Sequence, residues 1–114
     1  MLTIDAQDKT LGRVASAAAK ALLGKRSADF AKNAVSQDGV TITNASKIRL
    51  SGNTKARDKK YVRYSGYPGG QKIESYAMLT ARRGKSEAIR RAVLGMLPKN
   101  RLQKPRIKLL TITE

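Results

Sequence analysis

Residues 10–25 read TLGRVASAAAKALLGK, and the class of fold turns on them. Leu11, Val14, Ala15, Ala18 and Leu22 recur at helical spacing, Thr10 is placed to cap the first turn, and Gly24 stands where a left-handed C-terminal residue is favoured. The alanines on that stripe let the helix come close to a sheet. Upstream, Leu2, Thr3 and Ile4 suggest a short opening strand. Downstream, residues 39–45, GVTITNA, alternate Val40 and Ile42 with threonines, and Ile48 and Leu50 alternate again with Lys47 and Arg49 beyond a turn at 44–46. Strands separated by a helix imply an α/β domain with a largely parallel sheet.

The second half continues the pattern with more punctuation. NTKARDKK (53–60) has no apolar face and reads as a solvated or ligand-facing loop or helical turn, leading into a strand at Tyr61–Tyr64. Ser75 and Ser86 each open a helical pattern; the first is closed by Gly84, and the second buries Ile89, Val93 and either Met96 or Leu97 before Pro98 ends it. KNRLQKPR (99–106) reads as irregular. IKLLTIT (107–113) reads as a final strand, apolar enough to be buried on both faces. The 114 residues suit a single domain without repeats.

Several functions lack their chemistry. There is no cysteine and no histidine, which removes disulfides, thiolate metal sites and the commonest general base, and the eight acids are scattered. Gly24-Lys25-Arg26-Ser27 resembles a phosphate loop only superficially, because that motif needs Gly where Ala19 stands and Ser or Thr where Arg26 stands. No enzyme activity, cofactor or metal is expected. With neither a signal-peptide pattern nor a membrane-spanning run, a cytoplasmic protein is expected.

Charge is the stronger signal. The chain carries 24 Lys and Arg against 8 Asp and Glu, and residues 47–114 hold 18 of the cations but only 4 of the acids. Lys55, Arg57, Lys59, Lys60 and Arg63 form one cluster; Arg82, Arg83, Lys85, Arg90 and Arg91 form a second; Lys99, Arg101, Lys104, Arg106 and Lys108 form a third. Any one of them reads as a solvated face, but three with so little intervening acid point to a polyanion. Arg90 and Arg91 fall on the side of their helix away from Ile89 and Val93. Three of the four tyrosines sit in YVRYSGYPGG (61–70). Tyr61 and Tyr64 can pack as strand residues, whereas Tyr67, flanked by Gly66, Pro68, Gly69 and Gly70, suits a loop that approaches a sugar-phosphate backbone closely.

VASAAAKALLGK, ITNASKIRLSGN, DKKYVRYSGYPGG and AVLGMLPKNRL, in this order, resemble the bacterial large-subunit ribosomal protein L-thirteen family, with SGYPGG (65–70) and GMLPKN (95–100) the most specific pieces. The resemblance implies a three-layer α/β/α fold with a four-stranded, mainly parallel sheet. It also implies a structural role in which the protein joins large-subunit (23S-type) ribosomal RNA early in assembly beside neighbouring ribosomal proteins, with no membrane and no small-molecule substrate. The family's basic loop corresponds to Asn53–Lys60, its glycine-rich turn to Tyr64–Gly70 and its P-K-N-R-L turn to Pro98–Leu102. Tyr64 stands where relatives often carry His, Leu94 where a basic residue is commoner, and the usual extensions at both ends are expected to be lacking. The RNA-binding candidates are therefore Lys55, Arg57, Lys59, Lys60, Arg63, Tyr64, Tyr67, Gly69, Gly70, Lys72, Arg82, Arg83, Arg90, Arg91, Lys99, Asn100, Arg101, Lys104 and Arg106. The rival binding class, a DNA-compacting protein, would offer a recognition helix, a β-ribbon arm or apolar wedges, and none is apparent.

Overall fold

The computed structural model describes residues 1–114 as a mixed α/β molecule. In chain order the elements are β1 (Leu2–Asp5), α1 (Leu11–Leu22), β2 (Val40–Thr43), α2 (Lys55–Asp58), β3 (Lys60–Tyr64), β4 (Gln71–Ser75), α3 (Tyr76–Met96), α4 (Gln103–Lys108) and β5 (Leu110–Ile112), with a 3₁₀ turn at Ala45–Lys47. Strands β1, β2 and β5 form a parallel sheet in that order; β3 and β4 form a separate antiparallel hairpin.

The parallel sheet sorts its side chains by register. Leu2, Val40 and Leu110 stand side by side, as do Ile4, Ile42 and Ile112, so all six share one face. Thr3, Thr41 and Thr111 share the other, where Thr3 and Thr111 are exposed. Helix α1 packs on β1 and β2 with its alanine stripe, and α3 packs chiefly against α1. Together they enclose an aliphatic core in which Val14, Leu22, Ile42, Leu79, Ile89 and Val93 are fully buried. Thr10 occupies the N-cap position of α1 with extended backbone, but its side chain makes no capping bond; Gly24 takes the left-handed conformation at φ 79°.

Several sequence expectations are corrected. The parallel sheet has three strands, not four, and its contacts establish no second helical layer. Ile48 is buried as the alternation requires, yet residues 47–50 form only a single bridge, Arg49 with Thr10. Arg49 exchanges backbone bonds with Lys9 and Leu11, and there its neighbour turns into α1, so no ladder can extend. The run 103–108 is helical rather than irregular; Pro105 is tolerated because it lies in the first turn, where an N–H has no helical acceptor. The last strand accordingly shrinks to Leu110–Ile112 and is half-buried on one face only. The division of residues 75–97 at Gly84 is as predicted: Gly84 has φ 80° and ψ 170° inside α3, Ser75 accepts a bond from the Met78 N–H, and Leu97 rather than Met96 is buried.

Candidate nucleic-acid interface

Five cross-strand pairs build the hairpin: Lys60 with Ser75, Tyr61 with Glu74, Val62 with Ile73, Arg63 with Lys72 and Tyr64 with Gln71. Strand β4 has no apolar alternation of its own, and for that reason the sequence hid it. The turn 65–70 is closed by the Gly70 N–H donating to the Tyr67 carbonyl at 3.0 Å and by the Ser65 N–H donating to the Gly70 carbonyl at 3.4 Å. Gly66 and Gly69 adopt φ 88° and 72°, which other residues reach only with strain. A side chain at Gly70 would collide with the Ser65 hydroxyl.

The hairpin divides the tyrosines. Tyr61 packs inward, its ring 5.2 Å from the Arg91 guanidinium and 5.6 Å from the Lys59 ammonium. Burial pushes its phenol above the ordinary value, with Tyr76 adding to the rise and Arg91 opposing it. Tyr64 and Tyr67 are 67% and 75% exposed, which leaves two rings free beside the glycine turn. On the opposite face from Tyr64, Arg63 stands directly across from Lys72. Like charges in that position repel. The nearest acid, Glu74, is held by Arg82 through two bonds of 3.0 and 2.9 Å, and that pairing pulls the Glu74 carboxyl below the usual range.

The remaining candidates separate into engaged and free cations. Arg91 donates to Glu87 at 3.1 Å, Arg83 lies 4.0 Å from the same carboxylate, and Arg57 pairs with Asp58 at 3.4 Å on the exposed surface. Lys59, Lys60, Arg63, Lys72, Arg90, Lys99, Arg101 and Lys104 are exposed and make no salt bridge. The Lys55 ammonium donates to the Ser51 hydroxyl at 2.6 Å and makes no salt bridge. Asn100 is exposed and its side chain accepts from the Leu102 N–H, fixing the 98–102 turn.

Arg106 is not on this surface. It is 1% exposed, and its guanidinium donates to the carbonyls of Lys32 and Ala34 at 3.3 and 3.2 Å. In an irregular segment its charge would face solvent; the turn of α4 rotates Arg106 and Ile107 inward together. Lys85, read as part of the second cluster, is likewise committed to the Ser46 carbonyl at 2.7 Å. Conversely, Arg13 and Arg49 belong to no basic cluster in the sequence. They line a cleft of about 370 Å³ with Lys55 and Lys59 at the start of α1. Nothing in the spacing of residues 13 and 49 announces this; the bridge between Thr10 and Arg49 does it.

The sequence profile described as ribosomal protein L13 matches residues 1–114. The chain belongs to the ribosomal protein L13 family. Its members are ribosomal proteins rather than enzymes. The large ribosomal subunit protein uL13 of Moorella thermoacetica is 45% identical over 109 residues, spanning 96% of this chain and 74% of that protein. The same-named protein of Treponema pallidum (strain Nichols) is 49% identical over 105 residues, spanning 92% and 72%, and that of Pelotomaculum thermopropionicum 48% over 99, spanning 87% and 67%. No helix of this family member is long and apolar enough to cross a membrane.

Proposed function

We propose that this L13-family chain is a structural constituent of the large ribosomal subunit that binds 23S-type ribosomal RNA and supports early assembly in the cytoplasm, beside other large-subunit proteins. The observation that carries the reading is the Arg63–Lys72 pair: two like charges held opposite each other at the base of a glycine turn, with the one nearby acid already engaged. A phosphate seated there turns that repulsion into attraction. The exposed rings of Tyr64 and Tyr67 add stacking surface, and Lys59, Lys60, Arg90, Lys99, Arg101 and Lys104 extend the contact electrostatically. Arg83, Arg91 and Arg57 contribute through exchange of their present acid partners for phosphate, while Arg82 stays on Glu74 and keeps that carboxylate away from the phosphate.

Recognition of this kind follows backbone shape and is strongly salt-dependent. Neutralising about eight phosphates gives a slope of log affinity against log salt of roughly −6 to −7. Titrating transcribed 23S-type RNA with the protein over a range of salt, with duplex DNA as competitor, tests this. A slope near zero, or equal competition by the duplex, overturns the reading.

A further inference from the structure

Residues 24–39 connect α1 to β2 without any helix or strand, an unusually long irregular connection for so small a molecule. Residues 28–37 make only two hydrogen bonds to anything outside 27–38, and both come from Arg106. That guanidinium is buried, has no carboxylate partner and leaves its Nε unbonded. Carbonyl dipoles orient it without cancelling its charge. An apolar side chain would fill the same space at a smaller desolvation cost, so the cation is an expensive choice for packing alone.

Pro105, the residue before Arg106, and Val35, the residue after its partner Ala34, line a groove. Helix α4 and the tethered segment form the two walls of an open groove of about 800 Å³, with Arg101, Lys104 and Lys108 on one side and Ser36 and Gln37 on the other. No acid lines it. Since Arg106 bonds to the carbonyls of Lys32 and Ala34, it fixes the separation of the walls, and its uncompensated charge adds to the positive potential between them. We propose that this groove seats a second stretch of RNA backbone, apart from the hairpin, with Lys104, Lys108 and Arg101 on the phosphates and Arg106 as the positioning residue beneath. The inference rests on the RNA-binding reading above and adds to it a site with two walls, including Lys108 and a segment from the weakly charged first half of the chain.

The test compares salt-dependent binding of transcribed 23S-type RNA by the wild type, the Lys104→Ala/Lys108→Ala double variant, Arg106→Gln and the hairpin variant Arg63→Ala. The double variant alters only exposed side chains, so its thermal melting should be unchanged, while its salt slope falls in magnitude by about 1.4 to 1.8 for two lost phosphates. Arg106→Gln should weaken binding several-fold and speed limited proteolysis within 28–37, with bound RNA slowing that cleavage in the wild type. A salt slope reduced by about 0.7–0.9 for Arg63→Ala together with a wild-type slope for the double variant overturns the groove and leaves the hairpin reading intact. If the wild type itself shows no salt-dependent binding, the RNA reading fails, and the groove with it. Faster cleavage of Arg106→Gln with unaltered RNA affinity reduces Arg106 to a structural tether and overturns its positioning role.

Discussion

The two sheets of this molecule use the same residue types to opposite ends. In β2, Val40 and Ile42 are 1% and 0% exposed beneath α1, whereas in the hairpin the cross-strand neighbours Val62 and Ile73 are 58% and 56% exposed. The parallel sheet is held by its core. The hairpin has little apolar burial of its own and is marginal by itself; it is tied down through Tyr61, the Arg82–Glu74 pair and the bond from the Tyr76 N–H to the Lys59 carbonyl at 2.8 Å. Fold stability and the charged surface therefore reside in different parts of the chain, and each can be altered with limited damage to the other.

The sharpest way to break that separation is a cavity in the core. Leu22→Ala should lower the unfolding free energy by about 2–5 kcal/mol in chemical denaturation, and Val93→Ala by roughly 0.5–3 kcal/mol, while the folded fraction binds RNA as before. A loss of affinity as large as that of a hairpin variant would show that core and surface are coupled. Next in size is the turn. Gly66→Val forces a β-branched residue to positive φ, a strain of about 1–2 kcal/mol confined to the hairpin, and should weaken RNA binding more than it lowers the melting temperature. Arg63→Ala should reduce the salt slope by about 0.7–0.9. It should leave stability level or raise it by a few tenths of a kcal/mol, since the repulsion from Lys72 goes with it.

The smallest effect is a pH dependence. Glu74 has its folded-state carboxyl pulled below the ordinary range by Arg82, so its contribution to stability is present above the unfolded-state value and disappears as pH falls through the depressed folded value. Acid titration of thermal stability should show this loss in the wild type and less of it in Glu74→Gln. Equal curves would mean that the pair does not anchor the hairpin.

The parts of the fold written in the sequence are those where one element carries its own pattern. Helix α1, β2 and the break at Gly84 were legible because apolar spacing and a glycine suffice to define them. Strand β4 was not, since Gln71, Lys72 and Glu74 become a strand only by pairing with Tyr64, Arg63 and Tyr61. Ile48 and Leu50 had the right alternation and the right burial, but a strand also needs an extended neighbour, and Lys9–Leu11 turns away into α1. At the candidate site, charge counting found the exposed lysines and arginines, yet it could not distinguish Arg106, rotated inward by an unforeseen helical turn, from Arg101 on the surface. It also had no means of bringing Arg13 beside Arg49.

The interruption at Gly84 affects cooperativity. An unbroken run of 21 residues would tend to wind and unwind as one unit, but here the backbone leaves helical geometry at Gly84. Each portion depends on its own anchors, Tyr76 and Leu79 before the interruption and Ala88, Ile89 and Val93 after it. Amide hydrogens in the two portions should therefore exchange with solvent through separate opening events, the portion carrying fewer anchors opening first.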